Sequence, residues 1–575
     1  MFAILIMNFY VFFRSIAMFR KSRDEQISMF DRYLTANKQT SKAVDNSAAK
    51  LVGDIIYPNV DEERFAPLFS SDNNSRPNIE IRRYVSALIL KRLYRMSDAN
   101  LIEFLRCGAV NFQYALHTTG QDLQPLSEVS LYRFRAKILD YKEEKGIDLI
   151  KDEFLRISKA MATDMGVLHS DPSENDSPED LILVRMDSME IEAHAKVMTR
   201  LEILYTTVLI MVRYLLRKKL ISILPESLSH YLEEDDRNRV LYYKGTDEKR
   251  QEIQEDRVSA AVREMNTLQS ALVKSFTQEF LDDIPEYKVF LRVQDEQTVL
   301  GDDGVRRPKD KKDIPADSVQ NPFDTTVTYR YKRGHHHGFV LNVAEAHDGN
   351  GNGIIIDADL LPNTASDIEM ERKFIEKQKD DGPAMQLDGD GAYESAELEE
   401  LARKKNIELV ATSLTGKLPN DIFADFELDK DKRSVLKCPA GNVPVSNKYN
   451  EKSAYITAVM PGNCCASCPH REECKARVNN KKNKSSVKVH VNSVRRARMA
   501  RDLSTDKMKK AARHRNGVEG IMSVLRRKYG LDDIPVFGIH ASGTWVWTSL
   551  LAYNLVKCRK FMTSKKQPKI QPVTC

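Results

Sequence analysis

The sequence predicts a mixed α/β layer fold, preceded by helices and interrupted by a long helical block. Three patterns carry that expectation. An apolar run at 181–192 reads as a buried strand that becomes alternating. Residues 200–286 are rich in Glu, Lys, Arg and Leu and read as helix. Extended runs then resume near 326 and alternate with helical patterns, the signature of a layered sheet. With 575 residues, 42% hydrophobic and 30% charged, there is room for three or four structural units of roughly 150 residues each. Disordered, collagenous and polytopic membrane chains fit this composition poorly.

The chain opens on an almost wholly apolar run, 1–13, followed by Arg14, Arg20, Lys21 and Arg23. A spanning helix needs about 20 apolar residues, and a signal peptide carries its charge before the apolar core. A membrane-surface anchor and an upstream start codon, with the native chain beginning near Met18, are the two readings. The flanks favour the second, and no stable membrane association is expected. The run 201–216 is broken by Glu202 and Arg213 and reads as a buried helix.

From about 79 to 155 the apolar spacing is helical. Ile81, Val85, Leu88, Ile89 and Leu93 form one stripe, and Ser97 is positioned to cap the helix that carries Leu101, Phe104 and Leu105. Pro125-Leu126-Ser127 starts another, in which Leu131, Phe134 and Ile138 make the apolar stripe while Arg133, Arg135 and Lys137 lie off it. Such a basic helix can enter a DNA groove or form a solvated face. After the strand at 181–192 and the helical block, strands are expected at 326–331, 338–345, 353–357, 384–388 and 407–412. Helices are expected at 366–378, 395–405 and, last, 504–529. The glycines of 347–353 read as a hairpin turn, and His335, His336 and His337 as a loop before a strand.

Three carboxylates stand out. Asp187 interrupts an apolar strand, where a carboxylate is costly unless paired or bound to metal. Asp390 follows the strand at 384–388 and opens Asp-Gly-Ala-Tyr; Asp388 is its neighbour two residues back. Glu519 lies on a cation-rich helix and shares a face with Arg515. Two strand-end carboxylates and one from a packed helix can hold a pair of Mg²⁺ ions about 4 Å apart for phosphodiester chemistry. Singly, a strand-end aspartate, a turn residue and a helix ion pair would explain them.

Several blocks together resemble one family. Arg76-Pro-Asn, Leu88-Ile-Leu-Lys and Met96-Ser-Asp, then Leu126-Ser-Glu-Val-Ser-Leu-Tyr-Arg-Phe-Arg, resemble the N-terminal helical domain of DDE transposases of bacterial insertion sequences. Val184-Arg-Met-Asp-Ser, 318–330 with Gly338-Phe, Asp390-Gly-Ala-Tyr-Glu-Ser and Arg515-Asn-Gly-Val-Glu-Gly-Ile-Met-Ser resemble that family's catalytic blocks. The resemblance runs from about 75 to 560. It implies a ribonuclease-H-like fold in which Asp187, Asp390 and Glu519 are the catalytic, metal-binding triad for two Mg²⁺ (or Mn²⁺) ions. Asp390 is chosen over Asp388 because it directly precedes Gly-Ala-Tyr. Two positions depart from some relatives: Ala512 stands where they have tyrosine, and Arg526 where they have lysine.

Cys438 and the cluster Cys464, Cys465, Cys468 and Cys474 are no secreted disulfide framework and point to a reducing compartment. Four thiolates satisfy a structural Zn²⁺, and Cys438, Cys465, Cys468 and Cys474 are the simplest set, with Cys464 and His470 as competitors and unligated thiols as the alternative. A basic tract follows, with Lys481, Lys482, Lys484 and Lys488, then Arg495, Arg496, Arg498 and Arg501, leading to Glu519. Arg133, Arg135, Lys137, Arg495, Arg496, Arg498, Arg515 and Arg526 are the expected DNA contacts.

The expected division is an N-terminal extension at 1–60 and a helical DNA-binding domain at 61–165. A ribonuclease-H-like core at 180–199 and 320–425 carries a helical insertion at 200–319. A zinc-knuckle insert at 426–490, a basic helical part of the core at 491–560 and a tail at 561–575 complete it. The function implied is a cytoplasmic, nucleoid-associated DNA transposase, a homodimer on double-stranded element ends and target DNA. A nuclease of the same fold without strand transfer, and a retired copy that only binds DNA, are the rivals.

Overall fold

The computed structural model describes residues 18–22, 29–70, 76–121, 123–169, 181–242, 247–332, 334–380, 382–389, 396–414, 417–462, 464–479 and 483–566. The apolar 1–13 run and Asp390 lie outside the described residues. Four principal helices form the N-terminal part: α1 (Ile81–Tyr94), α2 (Asp98–Arg106), α3 (Glu128–Lys145) and α4 (Leu149–Asp164). Their starts are written in side chains. Ser97 accepts the amide of Asn100 at 3.1 Å, and Ser127 and Ser130 cap each other's backbone reciprocally. Leu131, Phe134 and Ile138 of α3 are buried as their spacing predicts.

Strand β1 (Ile182–Ala193) precedes the helical block, which holds α5 (Arg200–Arg217), α6 (Asp247–Ser275) and α7 (Pro285–Gln297). That block has its own core, including Leu204, Tyr205, Met265, Leu268 and Phe290. The sheet then resumes with β2 (His335–His347) and β3 (Gly353–Pro362). Helix α8 (Asp367–Glu376), strand β4 (Met385–Gly389), helix α9 (Ala396–Lys404) and strand β5 (Ile407–Ala411) follow. The spatial order is β3-β2-β1-β4-β5, with β2 antiparallel to β1 and β3, and β4 parallel to β1 and β5.

On the edge of β1 away from β2, residues 182–185 pair with β4, and the far end pairs in parallel with the short strand Asp533–Ile534. Asp187 lies between those two partners. The close approach of β2 to β1 depends on Gly338: a Cβ there would stand 2.7 Å from the amide nitrogen of Ala193 and overlap the carbonyl oxygen of Ile191. The His335–His337 triplet opens β2 and is not a preceding loop. His336 Nδ1 meets Glu192 at 2.8 Å and Tyr329 bonds His335 at 2.8 Å, so neighbouring strands satisfy these rings in place.

Between β5 and the last helices sits a second, antiparallel sheet of β6 (Ser446–Asn450), β7 (Tyr455–Met460) and β8 (Lys484–His490), with Arg477–Asn479 on the far edge of β8. Helix α10 (Val491–Asp502) packs on the turn Asp421–Asp425, and α11 (Asp506–Tyr529) lies across β1 and β4.

The sequence reading ends the long helices at 529, yet α12 (Ile539–Lys566) follows. It is wedged between α1, α4 and β3, so Val546, Trp547, Leu550, Leu551, Tyr553 and Leu555 are buried around much of its circumference. A helix apolar on most sides carries little periodicity to detect. Fully buried Asn554 ties the layers, exchanging bonds with the backbone of Ile355 (3.0 and 2.8 Å) and donating to Ser158 Oγ at 2.9 Å. Among the described residues, no helix is long and apolar enough to cross a membrane.

Candidate active site

Asp187 shares a face of β1 with Arg185, and the register sets it opposite Val343 of β2. Its carboxylate accepts the Ser188 amide at 2.8 Å and Arg515 Nη2 at 2.9 Å. The other arm of the same guanidinium, Nη1, reaches Glu519 Oε1 at 3.4 Å. Arg515 and Glu519 stand four apart on α11 and so on one face. Arg515 is packed against the sheet, with its side chain 13% exposed, whereas Glu519 stands at the rim, 67% exposed. One guanidinium thus joins two carboxylates that enter from a strand and a distant helix.

Beneath this pair lies a layer of charge that holds α11 in place. Arg185 Nε donates to Glu345 Oε2 at 2.6 Å, and its Nη1 donates to the His514 carbonyl of α11 at 2.6 Å. Glu345 is fully buried; burial pushes its carboxyl upward and Arg185 opposes the shift. The guanidinium lies so close to α11 that a Cβ at Gly517 would stand 2.7 Å from Arg185 Cζ. Glycine is therefore the residue that lets helix and cation approach.

Asp388 pairs in register with Arg185 and is wholly buried, with Gln386 Nε2 donating to it at 2.7 Å. Burial pushes its carboxyl up to about 6, against the pull of Gln386 and Arg185. Among the described residues, His347, Asp388 and His514 form the one trio whose candidate ligand atoms all lie within 4.8 Å of one another. The Gly349 amide donates to His347 Nδ1 at 3.1 Å, which assigns the ring proton to Nε2. Burial, then Arg185 and His514, drives His347 down to about 3, so the ring is neutral. A neutral ring with Nε2 protonated offers no lone pair there, and this Nε2 meets no hydrogen-bond acceptor among the described residues. The trio is a buried polar cluster beside Arg185, two residues along β1 from Asp187.

Two family models match the chain. One, described as a transposase domain, covers residues 41–137; the other, described as a transposase DDE domain, covers residues 437–559. Both matches are to transposase domains and together support a DDE transposase of an insertion sequence. Comparisons with curated proteins and with solved structures give no match. The DDE-domain match contains Glu519 and the cysteine cluster, while Asp187 and Asp390 precede it in the sequence. A DDE domain implies a ribonuclease-H-like fold, and the transposase has a mixed sheet to correspond.

The eight residues expected to contact DNA divide by their surroundings. Arg133 and Arg526 are exposed on α3 and α11. Arg135 does not face outward: it forms a two-point ion pair with Asp98, at 3.1 and 2.6 Å. Lys137 lies over the Phe69 ring at 4.3 Å, and burial pulls its pKa down. Both turn back because α3 packs against neighbours on more than its apolar stripe. Arg495 pairs with Glu399 at 2.6 Å, and Arg498 donates to the carbonyls of Ala424 and Phe426, so these two hold helix α10 in place. Arg496 lines a groove on the small sheet, and Arg515 joins Asp187 to Glu519.

The five clustered cysteines of the transposase, Cys438, Cys464, Cys465, Cys468 and Cys474, line one small cavity together with His470. Cys464 and Cys465 sulfurs are 4.0 Å apart. Burial pushes the Cys465 thiol up to about 11 and the Cys474 thiol up to about 12. The residues that sequence reasoning missed are Arg185, Glu345, His347 and Gly517. The available signal was a cation two residues before Asp187 in an otherwise apolar strand, which demands a buried anion nearby.

Proposed function

We propose that this transposase cuts DNA at the ends of its insertion sequence and joins the freed 3'-hydroxyls to target DNA. Asp187, Asp390 and Glu519 would hold two Mg²⁺ or Mn²⁺ ions. Bound there, the ions would supply activation of a water or 3'-hydroxyl and stabilisation of the leaving oxygen during in-line attack on a phosphodiester. The observation that carries this reading is the meeting of Asp187 and Glu519 on one Arg515 guanidinium. β1 fixes Asp187 between two backbone partners, and α11, seated on Arg185, delivers Glu519. Arg515 balances the charge of both carboxylates and must share them with any arriving cation.

The N-terminal helices would recognise the element ends, and paired ends call for at least a dimer. Cys438, Cys465, Cys468 and Cys474 would hold a structural Zn²⁺; their convergence on one cavity and their thiol chemistry support it. The chain would act in the bacterial cytoplasm, on the nucleoid. The test is metal-dependent cleavage and strand transfer on DNA carrying the flanking ends, with Asp187→Asn and Asp390→Asn as comparisons. Joined products that vanish in both variants are expected. Cleavage without joining would reassign the protein as a nuclease. Joining that survives Asp390→Asn would move the second aspartate to Asp388. Binding without cutting would mark a retired copy.

A further inference from the structure

The small sheet presents a face that the active site does not use. Strand alternation sends Lys448 and Asn450 of β6, Tyr455 and Thr457 of β7, and Ser486, Lys488 and His490 of β8 to one side. Their partners Ile456, Ala458, Val487 and Val489 turn inward to the core that also contains Cys465 and Cys474. Register places Lys448, Thr457 and Lys488 in one row across three strands, and Arg477 opposite Ser486 at the next outward position of β8.

That face floors a groove of about 1160 Å³. Lys417, Lys448, Lys475, Arg477, Lys488 and Arg496 line it, and among the described residues no aspartate or glutamate does. Lys448, Lys475, Arg477 and Lys488 are exposed. Tyr455 and His490 meet edge to face at one end, with ring centres 4.7 Å apart, and offer an aromatic edge beside the cations. The whole chain carries only +5, so this concentration is a local feature.

We infer that this face binds the phosphate backbone of duplex DNA, as a second contact surface beside the Asp187–Glu519 centre; the inference rests on the transposase reading for its choice of DNA as occupant. A rigid sheet carrying spaced cations neutralises phosphates without reading bases, so binding is sequence-tolerant and strongly salt-dependent. The cysteine cavity behind it holds the opposite side of the same sheet.

The test compares the full chain with a Lys448→Ala, Arg477→Ala, Lys488→Ala triple variant, without added magnesium. Binding to a random-sequence duplex is followed by fluorescence anisotropy across a potassium chloride series. A control triple, Lys311→Ala, Lys312→Ala and Lys404→Ala, removes the same charge elsewhere. The slope of log K against log salt is expected to fall by about 0.9 for each phosphate that the variant no longer neutralises, with at least a tenfold drop in affinity, in the first triple only. Equal slopes for the first triple and the wild type would overturn the proposal, as would an equal drop in the control. In the unmutated chain, DNA is also expected to shield the Lys448 and Lys488 amines from acylation; unshielded amines would count against it. An RNA duplex bound more tightly than DNA by the same residues would make RNA the occupant. Cleavage by the wild type with no slope change sinks this inference alone. A slope change with no cleavage sinks the catalytic reading and leaves this one standing.

Discussion

Replacing Gly517 with alanine tests the charge layer around Arg185, beside the candidate active site. The added methyl would stand 2.7 Å from Arg185 Cζ and 3.1 Å from Nη2. A guanidinium can normally swing aside at small cost, but this one is held by Glu345 at 2.6 Å and by the His514 carbonyl at 2.6 Å. Either α11 lifts or Arg185 leaves its buried partner. Overpacking of this kind costs about 1–3 kcal/mol, and separating a buried ion pair about 3–5 kcal/mol. Alanine returns about 1 kcal/mol of helix propensity, so the expected net loss is up to about 2 kcal/mol if α11 lifts and about 2–4 kcal/mol if Arg185 leaves its partner.

Gly520 is the internal control. It lies one turn further along α11 with nothing within 4 Å of its would-be Cβ, so Gly520→Ala should stabilise by about 0.5–1 kcal/mol. The assay is urea unfolding followed by tryptophan fluorescence; the chain has two tryptophans, and Trp545 and Trp547 both sit on α12 in the shared core. Gly517→Ala at or above wild-type stability would refute the account of Arg185 as a fixed strut. A loss of the same size at Gly520 would equally remove its explanation.

Glu371 of α8 is 2% exposed, and burial alone pushes its carboxyl up to about 8. A carboxyl raised in the folded state favours folding while protonated, and stability falls as pH climbs from its unfolded value near ~4.3 toward 8. Glu371→Gln should therefore match the wild type near pH 4.5 and exceed it by roughly 3–4 kcal/mol near pH 7; a gap that stays constant with pH would contradict this. Arg135→Ala should lower the unfolding midpoint by breaking the Asp98 pair, at about 1–3 kcal/mol, whereas exposed Arg133→Ala should weaken duplex binding without that loss. The reverse pattern in anisotropy and melting curves would restore Arg135 to the DNA face. Arg515→Gln frees Asp187 and Glu519 from their shared cation, so Mn²⁺ should bind several-fold more tightly by electron paramagnetic resonance; weaker binding would make Arg515 a positioning group for Asp187.

The strands were legible because their apolar residues run together and their turns are marked. β1, β3, β4 and β5 lie where the runs 181–192, 353–357, 384–388 and 407–412 place them. Side-chain direction was less legible. On α3 the stripe of Leu131, Phe134 and Ile138 faces inward as its spacing predicts, but Arg135 and Lys137, expected to face outward as DNA contacts, turn back, because periodicity reports the apolar face and not what borders it. Asp98 and Phe69, which claim them, are distant in sequence. Arg185 and Glu345 are likewise 160 residues apart, and their partnership appears only when β1 and β2 are set in register. The His335–His337 triplet misled for a related reason: polar rings at a strand's end look like loop until the Glu192 and Tyr329 partners are in view.

Helix α12 has a consequence for shortened forms of the protein. It touches α1, α4 and β3 together, and Trp547 reaches back to bond Asp148, the cap of α4, at 2.9 Å. A polypeptide ending before Ile539 retains α1–α11 and every core strand from β1 to β5, yet it leaves Leu88, Phe154 and Ile355, which share a core with α12, without that cover. Premature termination at or shortly after codon 539 is then expected to yield an aggregating product. The amino-terminal helices therefore cannot be borrowed as a free-standing module without redesigning the surface that α12 conceals.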